Sequence, residues 1–360
     1  MKIKTSIDNL ENYKIYLQVE EAVNEFFKKR GYLKTDLPVL SPALIPESYL
    51  EVFETKFKYF NTKEKLYLTP SPELFLKRLL VSGIGNCYYL GKAFRNSEPN
   101  STWHLPEFTM LEFYKLGVNY LQMADEVLRM LRYVKQHVIA SPSTSLRAGS
   151  AKQSQKEIAS SSRRNFRIPR DDKGIKISFN RWEKYSVTQA FLKFADITEK
   201  ELFSQKLFIK KAKNKGYKID NATYENLFSQ ILAQEIEPRL GKNGYPALLY
   251  DYPRELSSLA KLKKNRKIAE RCEFYIDGLE VGGFCTELND YKEQEIRFFQ
   301  ESKKRKKNNL INHIIDKDFI KTLKCGLPDC TGAGIGFDRL VMIFADVDSI
   351  DKLKLINITS

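Results

Sequence analysis

The chain has 360 residues, of which 42% are hydrophobic, and its formal net charge is +15. This composition allows one large domain or two ordinary domains with a hydrophobic core. No apolar run approaches the roughly 20 residues of a membrane-spanning helix and no signal-peptide core is present, which predicts a cytoplasmic protein without a membrane partner. Five cysteines without a C-x-x-C pair support neither a disulfide framework nor a zinc knuckle. The positive charge indicates anionic partners such as nucleotides, RNA or acidic proteins.

The first predicted element is one amphipathic helix. Apolar residues recur at helical spacing between 15 and 27, basic residues occupy the last turn, and Gly31 lies just past it. Pro38 then begins an extended stretch. Periodicity alone is equally compatible with an ordinary core helix.

Two strands and two further helices are predicted in the next part of the chain. Residues 65–68 and 86–90 are the strands, and the helix between them begins after Ser71-Pro72. Apolar residues between 121 and 134 mark another amphipathic helix.

Near Asp277-Gly278, alternating apolar residues on both sides predict a β-hairpin. Strands joined by hairpins indicate an antiparallel sheet, whereas a dinucleotide-binding domain needs regular strand–helix–strand crossovers. The glycines of 332–336 are therefore not interpreted as a dinucleotide fingerprint.

The stretch 141–173 differs in composition from the rest of the chain. Serines cluster there, and nearly all of its charged residues are basic. Such a composition predicts a disordered surface loop that is dispensable for activity. A basic arm for RNA is the alternative.

Two distant segments carry arginines that suit a nucleotide. Phe94-Arg95-Asn96 leads into residues 104–112, which contain a histidine and an aromatic ring, and the glycines of 332–336 lead to Arg339. A guanidinium binds phosphate through a planar fork, and a strand of glycines lets a nucleotide lie against bare backbone. Together these segments resemble the second and third signature motifs of class II aminoacyl-tRNA synthetases, which form acyl-adenylates from ATP.

The resemblance covers most of the chain and is closest to the lysyl branch, especially to the compact paralogue that attaches lysine or β-lysine to a lysine of elongation factor P. It implies an α+β fold, with a mainly antiparallel β-sheet flanked by helices, in one catalytic domain over 1–360. Residues 141–173 would be an insertion, and the helix at 15–27 would belong to the first motif, at a homodimer interface. The other matching segments are 26–31, 53–57, 69–73, 182–191, 269–271 and 326–330.

The resemblance assigns ATP binding to two arginines and their neighbours. Arg95 would clamp the α-phosphate and Arg339 would lie near the γ-phosphate, and these two are the predicted catalytic residues. Catalysis of this kind depends mostly on alignment and charge neutralisation, for which a permanently charged guanidinium is suited. His104 would lie near the β- and γ-phosphates, and Phe108 under the adenine. The other predicted ATP-binding residues are Asn96, Glu280, Val281 and Gly336.

Glu280 and Glu287 match the family's metal and substrate segment. They are predicted to hold Mg²⁺, which takes one or two carboxylates together with phosphate oxygens; exposed strand charges are the alternative. A bound ammonium needs carboxylates or a phenol, because leaving it unpaired is costly. Glu73 also fits an ordinary acid at a helix N-terminus. The predicted substrate-binding residues are Ser71, Pro72, Glu73, Tyr114 and Glu287.

The chain departs from the family pattern at several positions. Ser97 stands two residues after Arg95, where the family has Glu, and the loop that follows is one residue longer than in the lysyl branch. Leu105 and Gly283 both replace an Asn of lysyl enzymes. Gly334 resembles lysyl-tRNA synthetases, whereas β-lysine ligases tend to carry Ala there. These departures leave the identity of the amino acid open.

The catalytic pattern begins near Asn12, which leaves no room for an N-terminal anticodon-binding OB-fold. This favours elongation factor P over tRNA as the acceptor. One alternative is a ligase that charges tRNA without an anticodon domain, or an amino-acid ligase nearer the aspartyl and asparaginyl branch. Another is a synthetase-like binding protein, which would have lost the phosphate arginines.

Overall fold

The computed structural model describes residues 2–96, 101–140, 170–171, 174–220 and 222–359. Except at 170–171, the serine-rich stretch 141–173 lies outside these ranges, so its predicted disorder stays a prediction. Ser97 of the altered second motif lies outside them as well.

Helices in the described ranges include the three that the sequence predicted. Gly31, just past the first of them, has a φ of 74°, a conformation that glycine adopts without strain. The helices are α1 (Leu10–Lys29), α2 (Glu73–Val81), α3 (Tyr120–Ala140), α4 (Val187–Ala195), α5 (Glu199–Leu202), α6 (Gln205–Asn214), α7 (Tyr224–Ile231), α8 (Tyr291–Lys307), α9 (Lys317–Lys324) and α10 (Phe337–Ala345).

The strands of these ranges are β1 (Lys2–Thr5), β2 (Leu33–Lys34), β3 (Leu40–Ser41), β4 (Glu54–Tyr59), β5 (Thr62–Leu68), β6 (Cys87–Phe94), β7 (Glu107–Leu116), β8 (Arg170–Asp171), β9 (Gly174–Ile175), β10 (Glu183–Ser186), β11 (Ala247–Pro253), β12 (Ile268–Ile276), β13 (Leu279–Thr286), β14 (Cys330–Gly336) and β15 (Ile356–Thr359). A central sheet has the order β10-β11-β12-β13-β14-β7-β6-β2. Its outermost pairs, β10–β11 and β2–β6, are parallel, and the pairs between them are antiparallel. The α+β fold with a mainly antiparallel sheet is confirmed.

The hairpin predicted at Asp277-Gly278 joins β12 to β13. Both turn residues have positive φ, 51° and 80°, as a two-residue turn that follows the strand twist requires. Ile276 pairs with Leu279 across the turn. This hairpin sets the register of the two strands beside the glycine-rich strand β14.

One face of the central sheet is covered by α1, α3 and α10, whose apolar residues form the largest core cluster. Strand β7 lies in the middle of the sheet and alternates between its faces. Leu111 and Phe113 point into this core, whereas Glu112 and Tyr114 line a cavity on the other face. Polar side chains are thereby placed at the centre of the fold, where an unpaired charge would be costly.

Within the described ranges, each helix is too short or too polar to cross a bilayer.

Candidate active site

The first arginine-bearing segment lies at the junction of β6 and β7. The Arg95 backbone N–H donates to Pro106 O at 2.9 Å, and its guanidinium lies 5.2 Å from the Phe108 ring centroid, within cation–π range. The Asn96 backbone N–H donates to Glu51 O at 3.0 Å, which ties the segment to the loop before β4. The predicted phosphate clamp and the predicted adenine platform therefore lie side by side.

Arg339, in the first turn of α10, reaches the loop before β7. Its Nε donates to Trp103 O at 3.2 Å, its Nη1 to Glu280 O at 3.0 Å, and its Nη2 to His104 Nε2 at 2.7 Å. Because a guanidinium only donates, His104 Nε2 must accept, and the ring proton lies on Nδ1, 2.7 Å from Ser101 Oγ. His104 is therefore neutral here, and Arg339 supplies the positive charge of this contact.

Asp338 holds these distant segments together. Its Oδ2 accepts from the Thr109 backbone N–H at 2.7 Å, and its Oδ1 pairs with Lys354 Nζ at 2.5 Å. The carboxylate is buried, and both of its oxygens are satisfied, as a buried charge requires. The first of these bonds joins residues 229 positions apart in sequence. It places the third motif beside the second.

A cavity of about 180 Å³ opens on this face of the sheet. Two kinds of charged side chain line it: the guanidinium groups of Arg95 and Arg271, and the carboxylates of Glu47, Glu73, Glu112 and Glu287. Such a lining can bind an ammonium and an anionic group of one small ligand together.

Glu112 lies on β7 and is buried. Ser71 Oγ donates to its Oε2 at 2.7 Å, and the Tyr114 hydroxyl donates to its Oε1 at 3.1 Å. Burial and the neighbouring Glu73 charge nevertheless raise the pKa of Glu112 to about 8. These surroundings therefore hold the carboxyl largely protonated at neutral pH, and a bound cation would favour its ionised form.

Lys77 lies between the carboxylates of Glu73 and Glu287. Its Nζ lies 2.5 Å from Glu73 Oε1 and 2.6 Å from Glu287 Oε2, and the lysine side chain is only 2% exposed. Burial disfavours its charge, but Glu287 and Glu73 outweigh that effect and raise the pKa of Lys77 above its ordinary value. Burial raises the pKa of Glu287 to about 7, although Lys77 opposes the change. The amine end of the cavity is thus held by an internal ion cluster.

The glycines of β14 make room for this cluster. A Cβ at position 332 would lie 2.5 Å from Glu287 Oε1 and 2.5 Å from Tyr114 Cε1, so only glycine fits beside these two side chains, which are predicted to bind the substrate. A Cβ at Gly334 would lie 2.8 Å from the Met110 methyl carbon. That contact is with the end of a flexible side chain, so position 334 can tune the cavity without breaking the sheet.

The structure does not bring Glu280 and Glu287 together, and their prediction as a pair on one magnesium ion is wrong. The chain between them runs along the extended strand β13, which at about 3.3 Å per residue separates them by roughly 20 Å. Glu287 is paired with Lys77 instead. The carboxylate near Glu280 is Glu273 on β12, and burial together with this negative neighbour raises the pKa of Glu280.

The remaining predicted residues, Pro72, Val281 and Gly336, are not among those that line the cavity. The Val281 side chain is buried in the core, so a nucleotide could reach only its backbone. Pro72 precedes α2, and its carbonyl accepts from the Phe75 and Leu76 backbone N–H groups. Gly336 lies immediately before α10. The binding roles of these three residues stay predictions.

Sequence reasoning missed five charged residues of the site, namely Glu47, Lys77, Glu112, Arg271 and Glu273. Two of them stand at informative spacings from predicted residues. Lys77 is one helical turn after Glu73, and Glu112 shares a strand face with Tyr114. Arg271 and Glu273 alternate along β12, and the effect of Glu273 on Glu280 depends on which strand lies beside β12.

Comparisons with known proteins agree with this arrangement. Residues 4–356 match the model of a family described as class II tRNA synthetases (D, K and N). Among curated relatives named elongation factor P–(R)-β-lysine ligase, the protein of Avibacterium paragallinarum is 33% identical over 338 residues, which cover 92% of this chain and 90% of the relative.

The relatives with the same name in Vibrio cholerae and Buchnera aphidicola are 32% and 31% identical over 336 and 340 residues. These matches also cover 92% of this chain and 90% of each relative. The similarity therefore extends over nearly the whole length of both partners.

Proposed function

We propose, because this chain belongs to the class II tRNA synthetases (D, K and N), that it activates lysine or a lysine analogue with ATP and transfers it to a lysine side chain of elongation factor P. It is an ATP-dependent ligase that releases pyrophosphate in the first step and AMP in the second. The names of its relatives support the acceptor, and the charges of the cavity support the amino acid.

One observation carries the proposal: a single small cavity is lined by carboxylates that suit an ammonium and by arginines that suit phosphate. Glu112, held by Ser71 and Tyr114, is the carboxylate best placed to ionise when a cationic side chain binds. Arg95 and Arg339 stabilise the negative charge that develops when the amino-acid carboxylate attacks the α-phosphorus. The Nε2 atom of His104 can form a hydrogen bond with another group only after it leaves Arg339.

Magnesium would be held by Glu280, with Glu273 beside it. The support is electrostatic, because two nearby carboxylates repel each other and a divalent cation relieves that repulsion. Arg95 and Arg339 also act on Glu280, which places this pair next to the predicted phosphate ligands. When bound, the ion would neutralise phosphate oxygens, and Glu287 would take no part in holding it.

We further propose a homodimer formed through the first motif, with the reaction in the cytoplasm, where ATP and translation factors are found. Leu17 on α1 and Leu33 on β2 are 46% and 54% exposed. Exposed leucines on the helix and strand of this motif support a surface that a second copy covers.

The acceptor is tested by supplying labelled lysine and labelled (R)-β-lysine with ATP, offering elongation factor P in one reaction and total tRNA in another. We expect label on the factor and little or none on tRNA. A factor whose acceptor lysine is replaced by arginine is the matched control and should stay unlabelled. Label that appears on tRNA and not on the factor would instead favour a tRNA ligase without an anticodon domain.

Lysine binding is expected to tighten as pH rises from 6 to 8. The pKa of Glu112 is about 8, so its ionised fraction increases up to about tenfold per pH unit below that value. The affinity for an ammonium should increase with it. Calorimetric titration with lysine at several pH values measures this dependence.

The raised pKa of Glu112 also affects the stability of the fold, which should decrease as pH rises, whereas lysine affinity should increase. Because burial raises the pKa of Glu112 above its ordinary value of 4.5, the folded state keeps a proton that the unfolded state loses, and this contribution to stability is lost as pH rises through about 8.

The control for the binding prediction is the Glu112→Gln variant, which should lose the pH dependence of lysine binding. A wild-type dissociation constant that does not change between pH 6 and 8 would show that this carboxyl does not bind the amine.

A further inference from the structure

The hairpin formed by β4 and β5 projects from the fold. Every residue from 54 to 65 is exposed, although the two strands are paired along their length from Glu54–Tyr67 to Tyr59–Thr62. Strand β4 has six residues, which at about 3.3 Å per residue gives the hairpin a length of about 20 Å. Such a projection contributes little to the core and is available for contact with a partner.

One face of the hairpin carries four lysines, with Glu54 at its root. Lys56 lies directly opposite Lys65, and Lys58 lies opposite Lys63. Like charges in direct cross-strand pairs are destabilising, so the fold gains nothing from this arrangement. Of these four lysines, Lys65 forms an ion pair within the described ranges, with Glu54 at 3.1 Å. An anionic partner would relieve the repulsion.

The opposite face carries two aromatic residues, with Glu64 opposite Phe57, and a third aromatic residue lies at the tip. The rings of Phe57 and Tyr59 stack with centroids 6.3 Å apart, and Phe60 meets Tyr59 edge-on at 4.5 Å. Phe60 is 89% exposed, and its φ of 50° is one that a bulky residue rarely adopts. Glycine would be the favoured residue at such a turn position. The aromatic tip therefore costs stability and indicates a contact outside the chain.

The root of the hairpin is joined to the active site on both arms. Before β4, Glu51 accepts from the Asn96 backbone N–H, next to Arg95. After β5, the Thr69 carbonyl accepts from the Phe94 backbone N–H, and Ser71 of the amine pocket follows two residues later. A partner bound along the hairpin would therefore lie beside the cavity where transfer takes place.

We propose that the hairpin of residues 54–68 docks an acidic surface of the acceptor protein next to the lysine that receives the activated amino acid. This inference rests on the proposed function and names the enzyme surface that recognises the acceptor. The lysine face pairs with carboxylates of the partner, and the aromatic tip packs on apolar groups between them, as aromatic residues do in interface centres.

Two observations favour a protein over RNA. The three aromatic rings pack on one another, which leaves a compact apolar patch rather than separate platforms for bases. The positive residues of the hairpin are lysines without a single arginine, so the forked, bidentate contacts that guanidinium groups make with phosphate are missing. The lysine face instead recognises negative charge as such.

Two variants test the proposal separately on each face. Lys58→Glu combined with Lys63→Glu reverses one cross-strand pair, and because both members change sign, the repulsion within the pair is kept. Phe60→Gly removes the exposed ring and relieves the positive φ, so its melting temperature should not fall. The control is Lys213→Glu combined with Lys218→Glu, which changes the net charge equally at exposed positions on and after α6.

Both hairpin variants should keep ATP–pyrophosphate exchange with lysine within twofold of wild type, since these residues do not line the cavity. The KM for elongation factor P should rise by about tenfold or more, because several charged contacts or a central aromatic contact are lost. The charge-reversal variant should also show a weaker dependence of KM on salt. The control should change KM by less than about threefold.

Several results would overturn the proposal. Hairpin variants that match the control, or that lose exchange and transfer in parallel, would exclude an acceptor-docking role. A change in oligomeric state on gel filtration would assign the face to a second copy of the chain, and loss of tRNA binding with an unchanged KM would assign it to RNA. If the wild type transfers no label to elongation factor P, the proposed acceptor is rejected. If the wild type transfers label and the hairpin variants transfer it equally well, only the docking surface is rejected.

Discussion

Arg339→Ala is expected to slow ATP–pyrophosphate exchange by about a hundredfold or more. Its guanidinium donates to His104 Nε2 and to the carbonyls of Trp103 and Glu280. Removing a charge that stabilises the transition state costs on the order of 3 kcal/mol. Exchange kinetics with lysine, measured at saturating and limiting ATP, separate an effect on the rate from one on ATP binding.

Two other arginine substitutions calibrate this result. Arg339→Lys keeps the charge but loses the planar fork, so it should fall between wild type and Arg339→Ala. Arg129→Ala removes a half-exposed arginine that pairs with Glu126 on α3 and should leave exchange within about twofold. If Arg339→Ala keeps nearly wild-type exchange, the assignment of the third motif is wrong.

Lys77→Met is expected to destabilise the fold by about 3 kcal/mol at pH 8 and to abolish amino-acid activation. It removes the buried cation between Glu73 and Glu287, and breaking a buried ion pair from one side leaves an uncompensated charge. The loss should be smaller at pH 5.5, because burial already raises the pKa of Glu287, Lys77 opposes that rise, and without Lys77 protonation neutralises this carboxyl. Urea unfolding at the two pH values measures the difference.

A second substitution separates stability from function. Lys77→Met combined with Glu287→Gln removes both charges of one pair and should recover part of the lost stability, while activation stays low because the amine pocket has lost a carboxylate. Lys14→Met breaks the exposed pair with Glu11 and should have only a small effect. Equal stability of Lys77→Met and wild type at pH 8 would contradict the buried ion cluster.

Much of the architecture could be predicted from the sequence because its signals are local. Apolar spacing between 15 and 27 predicted α1, and Asp277-Gly278 with its alternating flanks predicted the β12–β13 turn. The arginine-bearing motifs predicted that Arg95 and Arg339 bind the phosphates of one ATP. The Asp338 carboxylate joins α10 to β7 and so links the two motifs in the fold. In each case a few adjacent residues carried the information.

The chemistry of the amine pocket was decided by the tertiary structure. Whether Glu287 faces magnesium or a lysine depends on α2, which is over two hundred positions away and supplies Lys77. The pKa of Glu112 follows from the depth of β7 in the sheet and from Glu73 beside it, neither of which a linear pattern records. The sequence by itself determined the elements and the residue types of the site. Which carboxylates lie together, and with what charge, followed only from burial and long-range packing, because Coulomb energy depends on distance and surroundings rather than on spacing along the chain.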